Sequence, residues 1–257
     1  MLSERGIGRR RLLLAWAGLV AGAAGLDGVV AHAASPLRDD STPAGAPIFK
    51  PDVPWFLTTP APAGAGVARP APVTVAAHGS APAELPTFVR SRAVWKAAAP
   101  AQPYVPQTPK GVSFHHTGAV WNGRPGAEQY LRNIQTFHTG PEREWEDIAY
   151  HFLVDLDGNV WEGRPPTVRG NPSIYYDPTG LVLVSYLGDF TSQSLTEAQI
   201  TGGAETAAWV MRRYGIDPST PLTGHRDHAP TSCPGDHLYG LLKDGTIPRR
   251  VQELLKA

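Results

Sequence analysis

Along the chain, the spacing of hydrophobic and polar positions changes several times, and each change marks an element. From Val112 to Thr117 they alternate: Val112, Phe114 and His116 share one face, and Ser113, His115 and Thr117 the other, the period-two signature of a strand. Pro125 then opens a stretch in which Ala127, Tyr130, Leu131, Ile134 and Phe137 recur at helical spacing. Two short apolar runs, Phe152 to Asp155 and Val160 to Glu162, flank Leu156-Asp-Gly-Asn159 and predict a hairpin. Tyr150 and His151 fall at the start of its first strand, on opposite faces. Leu181 to Leu187 is almost unbroken apolar sequence, which predicts a central strand covered on both sides.

Thr196 followed by Gln199 is a capping-box pattern. After it Ile200, Gly203, Ala204, Ala207, Met211 and Tyr214 line one face of a second helix, and Gly215 stops it. Asp236 to Lys243 and Pro248 to Lys256 also read as helices. Strands interleaved with helices over roughly 170 residues predict a single α/β domain spanning residues 87–257, with a central mixed β-sheet flanked by helices.

Upstream of residue 87 the pattern is different. Residues 34–86 are rich in Pro, Ala and Gly and have few periodic apolar positions, so they read as an extended arm that cannot bury enough surface to fold alone. Ile48 to Leu57, with Phe49, Trp55 and Phe56, is an apolar exception able to dock on the domain, and Val73 to Ala77 is a candidate edge strand. Residues 1–33 read as a targeting segment. Arg9-Arg-Arg11 precedes the apolar run Leu12 to Leu26, and Ala31-His-Ala33 offers small residues where a signal peptidase reads. The paired arginines also fit a twin-arginine export signal. Asp27 and the glycines leave the apolar run shorter than the roughly 20 residues a membrane span needs. No internal repeat is visible.

Charge narrows the partners. The chain carries 23 basic and 23 acidic side chains; residues 1–33 hold four and two of them, leaving 19 basic and 21 acidic. Nucleic-acid binding relies on clustered Lys and Arg, and this balance excludes it as an expectation.

The single cysteine, Cys233, has no partner for an internal disulfide. It lies in Leu222-Thr-Gly-His-Arg-Asp-His-Ala-Pro-Thr-Ser-Cys-Pro-Gly235, eight positions after His225 and two after Thr231. A buried inert thiol is the plain reading of a lone cysteine. Two histidines and a thiolate are also a donor set for catalytic zinc, which takes three protein ligands and keeps one position open. His115, His225 and Cys233 are such a set, but nine histidines offer many combinations. His228, three residues after His225, is the chief competitor. His116 and His151 point away from the faces of their neighbours, and His138 and His237 read as structural.

Several stretches, in order, resemble the peptidoglycan recognition proteins and related N-acetylmuramoyl-L-alanine amidases. They are Arg92-Ala-Val-Trp95, Phe114-His-His-Thr-Gly118, Trp145-Glu-Asp-Ile-Ala-Tyr-His-Phe-Leu-Val154, Asp157-Gly-Asn-Val-Trp-Glu-Gly-Arg164, Tyr186-Leu-Gly-Asp-Phe190 and the Gly224 to Gly235 loop. The resemblance spans roughly Val89 to Ala257 and implies one zinc ion held by His115, His225 and Cys233. It implies catalytic-site roles for Tyr150, as a hydrogen-bond donor to the oxyanion or to the attacking water, and for Thr231, as a hydrogen-bonding hydroxyl. The implied reaction is hydrolysis of the amide between the lactyl group of N-acetylmuramic acid and L-alanine in peptidoglycan. Non-catalytic members typically lack a ligand, and all three are present here.

Trp121 and Tyr176 are candidate stacking surfaces for sugar or peptide, and Arg164 a candidate carboxylate partner; each has an equally good structural reading. Where many recognition proteins that favour diaminopimelate-type stems have Gly-Trp, this chain has Pro165-Pro166. The expectation is therefore a secreted monomer that acts on peptidoglycan, with no membrane partner once the targeting segment is gone. A peptidoglycan-binding module without catalysis is the alternative.

Overall fold

The computed structural model describes residues 84–172 and 176–257. The expected targeting segment and nearly all of the arm, with the Ile48–Leu57 and Val73–Ala77 stretches, lie outside them. The described elements run β1 (Val89–Arg90), β2 (Gly111–His116), α1 (Ala127–Thr139), β3 (Phe152–Val154), β4 (Val160–Glu162), β5 (Leu181–Tyr186), α2 (Glu197–Tyr214), β6 (Thr223–Gly224), α3 (Asp236–Lys243) and α4 (Thr246–Lys256). The strands form one sheet in the order β1-β4-β3-β5-β2-β6. Only β3 and β4, joined by the predicted hairpin, pair antiparallel. The sheet is mixed, as expected.

β5 lies at the centre, and its apolar sequence follows from that position. Val182, Val184 and Tyr186 join Val112 and Phe114 of β2 and Phe152 and Val154 of β3 on one face. α2 covers this face with Ile200, Ala204, Ala207, Ala208 and Met211, and α4 adds Ile247 and Val251. On the opposite face Leu153, Trp161 and Leu187 meet α1 through Ala127, Tyr130, Leu131 and Ile134, with Trp95 and Trp121 beside them. Each fully buried valine, leucine, isoleucine or phenylalanine among them contributes about 1.5–3 kcal/mol, and each alanine less.

α2 begins where its capping box predicts. Thr196 Oγ1 accepts from the Gln199 amide, and the Gln199 side chain accepts from the Thr196 amide, both at 3.0 Å. Gly215 closes the helix at φ 62°, a left-handed conformation that glycine adopts without cost. β1 and β6, two residues each, carry no periodic signal and were not anticipated. Tyr150 and His151 precede β3 rather than belonging to it. Their carbonyls are taken by the consecutive amides of Arg164 and Gly163, whereas a regular antiparallel ladder bonds alternate residues. Among the described residues no helix is long and apolar enough to cross a membrane.

Candidate metal centre

Strand register joins the two halves of the site. β6 pairs with β2 so that Thr223 lies opposite Ser113 and Gly224 opposite Phe114. One residue further, His225 stands beside His115, with ring centroids 4.9 Å apart. The chain then leaves the sheet through a 3-10 turn, His225–Asp227. Asp227 pins this turn: one carboxylate oxygen accepts from the Gly224 amide at 2.8 Å, the other from Tyr239 at 2.6 Å and Lys243 at 2.8 Å.

The loop returns at Cys233. The Arg226 amide donates to the Cys233 carbonyl at 3.1 Å, and the Cys233 amide donates to Thr231 Oγ1 at 3.2 Å. Thr231 thus organises the cysteine turn with its lone pair while its own hydroxyl proton stays available. Gly235 ends the return at φ +90°, where a Cβ would come within 2.2 Å of the Phe190 carbonyl carbon. Only glycine fits there.

The result is a compact donor set. Cys233 Sγ lies 3.6 Å from His115 Nδ1. One ligand atom from each of His115, His225 and Cys233 falls within 4.8 Å of the other two. A tetrahedral zinc, with Zn–N of about 2.0–2.1 Å and Zn–S of about 2.3 Å, spaces nitrogen and sulfur by about 3.6 Å. His115 Nε2 and His225 Nε2 are buried without a hydrogen-bond partner, whereas the Ser185 and Ser113 hydroxyls lie within reach of Tyr150 and Tyr176. Ser185 stands opposite His115 across the β2–β5 pair. Buried polar atoms left unsatisfied in one place point to an ion or water that completes them. These residues fit a zinc ion.

The electrostatics agree. Burial holds His115 well below the usual imidazole range, and the neighbouring His225 adds to the effect. Burial also lowers His225, to about 4. Both rings are therefore neutral near pH 7 and present lone pairs. Burial pushes the Cys233 thiol up to about 12, against the donated His116 amide and the Arg226 charge, which favour the thiolate. A dication at the sulfur works in the same direction as those two groups, so metal binding and thiol deprotonation are linked.

Tyr150 sits beside this set. Its ring centroid is 5.7 Å from that of His115, and its hydroxyl donates to the His116 carbonyl at 3.3 Å. Burial, with the Cys233 charge second, pushes its pKa up, so it is a protonated donor at every physiological pH. Tyr176 also borders the site, with its ring 5.4 Å from His225 and stacked on His228 at 4.9 Å.

The remaining histidines among the described residues are engaged elsewhere. His228 Nε2 meets Thr223 Oγ1 at 2.9 Å and is not one of the clustered ligands. His116 Nδ1 accepts from the Phe190 amide at 3.2 Å on the far side of β2. His151 Nδ1 accepts from the Leu183 amide at 2.7 Å, and its Nε2 contacts the Val168 carbonyl at 2.8 Å. His138 Nδ1 accepts from the Ala149 amide at 3.1 Å, and His237 Nδ1 contacts the Gln193 carbonyl at 2.7 Å.

Two candidate substrate contacts need correction. Trp121 is 3% exposed, stacks on Tyr130 at 5.2 Å and donates its indole N–H to the Pro125 carbonyl, so it packs the core instead of presenting a face. Arg164 is 1% exposed, and its guanidinium donates to three backbone carbonyls. Its burial and these internal bonds turn the guanidinium toward the fold and away from a ligand carboxylate. The serines of the site were not singled out from sequence, although Ser113 shares the alternating face of His115.

Residues 105–236 match the family described as N-acetylmuramoyl-L-alanine amidase. The chain is 33% identical over 131 residues to peptidoglycan-recognition protein SC2 of Drosophila simulans, which covers 51% of this chain and 70% of that protein. Among solved structures it is similar to peptidoglycan recognition protein-LE in complex with tracheal cytotoxin, a monomeric diaminopimelic acid-type peptidoglycan (27% identity, TM-score 0.56, 62% of this chain and 94% of that one). It is also similar to human PGRP-IBETAC in complex with glycosamyl muramyl pentapeptide (28% identity, TM-score 0.54, 61% and 95%). With a matched region that runs from before the His115 strand through the Cys233 loop, the chain belongs to the N-acetylmuramoyl-L-alanine amidase family.

Proposed function

We propose that this protein is a secreted, zinc-dependent N-acetylmuramoyl-L-alanine amidase that cleaves the amide between the lactyl group of N-acetylmuramic acid and L-alanine in peptidoglycan. The observation that carries the reading is the complete His115, His225 and Cys233 donor set next to a protonated tyrosine.

His115, His225 and Cys233 would hold the ion. When bound, zinc supplies Lewis acidity, polarising a carbonyl oxygen and making water nucleophilic near neutral pH. The protein's own residues do the rest. Tyr150 offers its hydroxyl proton to the oxyanion that develops on the lactyl carbonyl, a role its raised pKa suits and that of a base it does not. To do so it exchanges the long bond to the His116 carbonyl for a stronger, charge-assisted one. Thr231 keeps Cys233 in place through the amide it caps. Tyr176, beside His225, offers a stacking edge for the muramyl peptide.

The second reading is a module that binds peptidoglycan without cleaving it, and it draws on the fragments bound in the two related structures. The intact ligand set favours the amidase. The test is digestion of purified sacculi by the mature domain: new L-alanine amino termini with intact glycan chains are expected, and binding without release would sink the amidase reading. Export rests on residues 1–33 and is checked by amino-terminal sequencing of the secreted protein, and sizing of that protein checks the expected monomer.

A further inference from the structure

Tyr150 has no regular element beneath it. It sits in Asp147–His151, between a turn and the start of β3. Such a segment does not hold a hydroxyl in place by itself, because its backbone lacks a ladder or helix to bond with. Yet every carbonyl in it is occupied. Arg164 Nη2 donates to the Asp147 carbonyl at 3.0 Å and Nε to the Ile148 carbonyl at 2.6 Å. The Asn171 amide takes the Ala149 carbonyl, the Arg164 amide takes that of Tyr150, and the Gly163 amide takes that of His151.

One residue therefore supplies three of the five bonds. Arg164 is also held from the other side, because Nη1 donates to the Arg169 carbonyl at 2.7 Å. Its charge is balanced by Glu146 at 3.5 Å and by the buried Asp147 carboxylate, which itself receives Arg92, Tyr104 and Gln135. Gly163 completes the clamp. A Cβ there would stand 2.1 Å from the Tyr150 carbonyl oxygen, so the two segments approach as closely as backbone allows.

We infer that Arg164 is a positioning residue for the proposed hydrolysis: with Gly163 it clamps Asp147–His151 and so fixes where the Tyr150 hydroxyl stands over the metal centre. The guanidinium fork spans the carbonyls of two successive residues, Asp147 and Ile148, and a lysine ammonium, a single point, does not. The inference rests on the amidase reading for its rate prediction and on geometry alone for the placement of Tyr150.

The test is a double-mutant cycle with Arg164→Lys and Tyr150→Phe, read by kcat and KM on muramyl-L-alanine peptides, by zinc content, and by the NMR resonance of ¹³Cζ-labelled Tyr150. Expected are a kcat lowered at least about tenfold in Arg164→Lys with KM within about twofold, zinc retained and the Tyr150 resonance moved. In the Tyr150→Phe background the same Arg164→Lys change should cost less than about twofold, because the hydroxyl it positions is gone. An equal cost in both backgrounds, or an unmoved Tyr150 resonance, overturns the inference. Should Arg164→Lys not fold, Gly163→Ala displaces the Tyr150 carbonyl by contact, and an unchanged kcat there also overturns it. If the wild type releases no L-alanine termini, the amidase reading fails by itself and the resonance still decides the clamp.

Discussion

Tyr150 and Cys233 are tied to the two polar ends of one residue: the tyrosine hydroxyl donates to the His116 carbonyl at 3.3 Å, and the cysteine sulfur accepts from the His116 amide at 3.5 Å. His116 turns its side chain away from the site and serves it through its backbone. The Tyr150 hydroxyl and the Cys233 sulfur are thus referenced to the same peptide units of β2. Because the strand is buried along its whole length, neither can drift independently of His115.

The ligand assignment separates two loop residues. Cys233→Ala is expected to lose both zinc and amidase activity, while His228→Ala keeps most of each, since His228 meets Thr223 and Tyr176 outside the donor set. Metal content after dialysis and sacculus digestion check this. Equal losses in both variants would reassign the third ligand.

Tyr150→Phe removes one donor and leaves the ligands alone. A drop in kcat of roughly 10²–10³-fold is expected, about 2.7–4 kcal/mol, with zinc content unchanged. A drop of less than twofold would show that the oxyanion is stabilised elsewhere.

Acid should destabilise the fold through neutral buried histidines. Burial depresses His138 and His151 to about 3 from the ordinary 6.5. Their folded pKa values are lowered, so the unfolded chain binds more protons below pH 6.5, and the stability present above that value is lost as pH falls toward 3. At pH 5 each costs about 2 kcal/mol. Urea midpoints of the metal-free protein should fall from pH 7 to pH 5, and His151→Gln should flatten the slope; a pH-independent midpoint would refute this.

Gly235→Ala should cost at least about 1–3 kcal/mol from the backbone conformation alone, and more from the contact with Phe190. Denaturant melts measure it. Loss of zinc affinity along with stability is expected, because Gly235 shapes the return that carries Cys233.

Some of this could be read directly along the chain. The capping box at Thr196, the hairpin at Leu156–Asn159, the unbroken apolar run of β5 and the glycine stop at Gly215 are local signals, because the bonds and periodicities behind them join residues close in sequence. The alternation from Val112 to Thr117 likewise placed His115 and His116 on opposite faces. Motif order then nominated His115, His225 and Cys233.

Other features have no local signature. β1 and β6 are too short to show a period, yet β6 pairing with β2 is what carries His225 to His115. Trp121 and Arg164 look like surface chemistry in sequence, and only packing revealed that one fills the core and the other closes carbonyls. The carbonyls around Tyr150 are taken by Arg164, Gly163 and Asn171, all distant from it in sequence.

The chain alone therefore determined most of the elements and their faces, since these follow from spacing, while its ordered motifs only nominated His115, His225 and Cys233 through their resemblance to a family. Tertiary structure alone decided which polar groups are spent on the fold and which remain for a metal or substrate. Hydrogen-bond satisfaction is a property of groups brought together from distant segments, and spacing along one segment does not encode it.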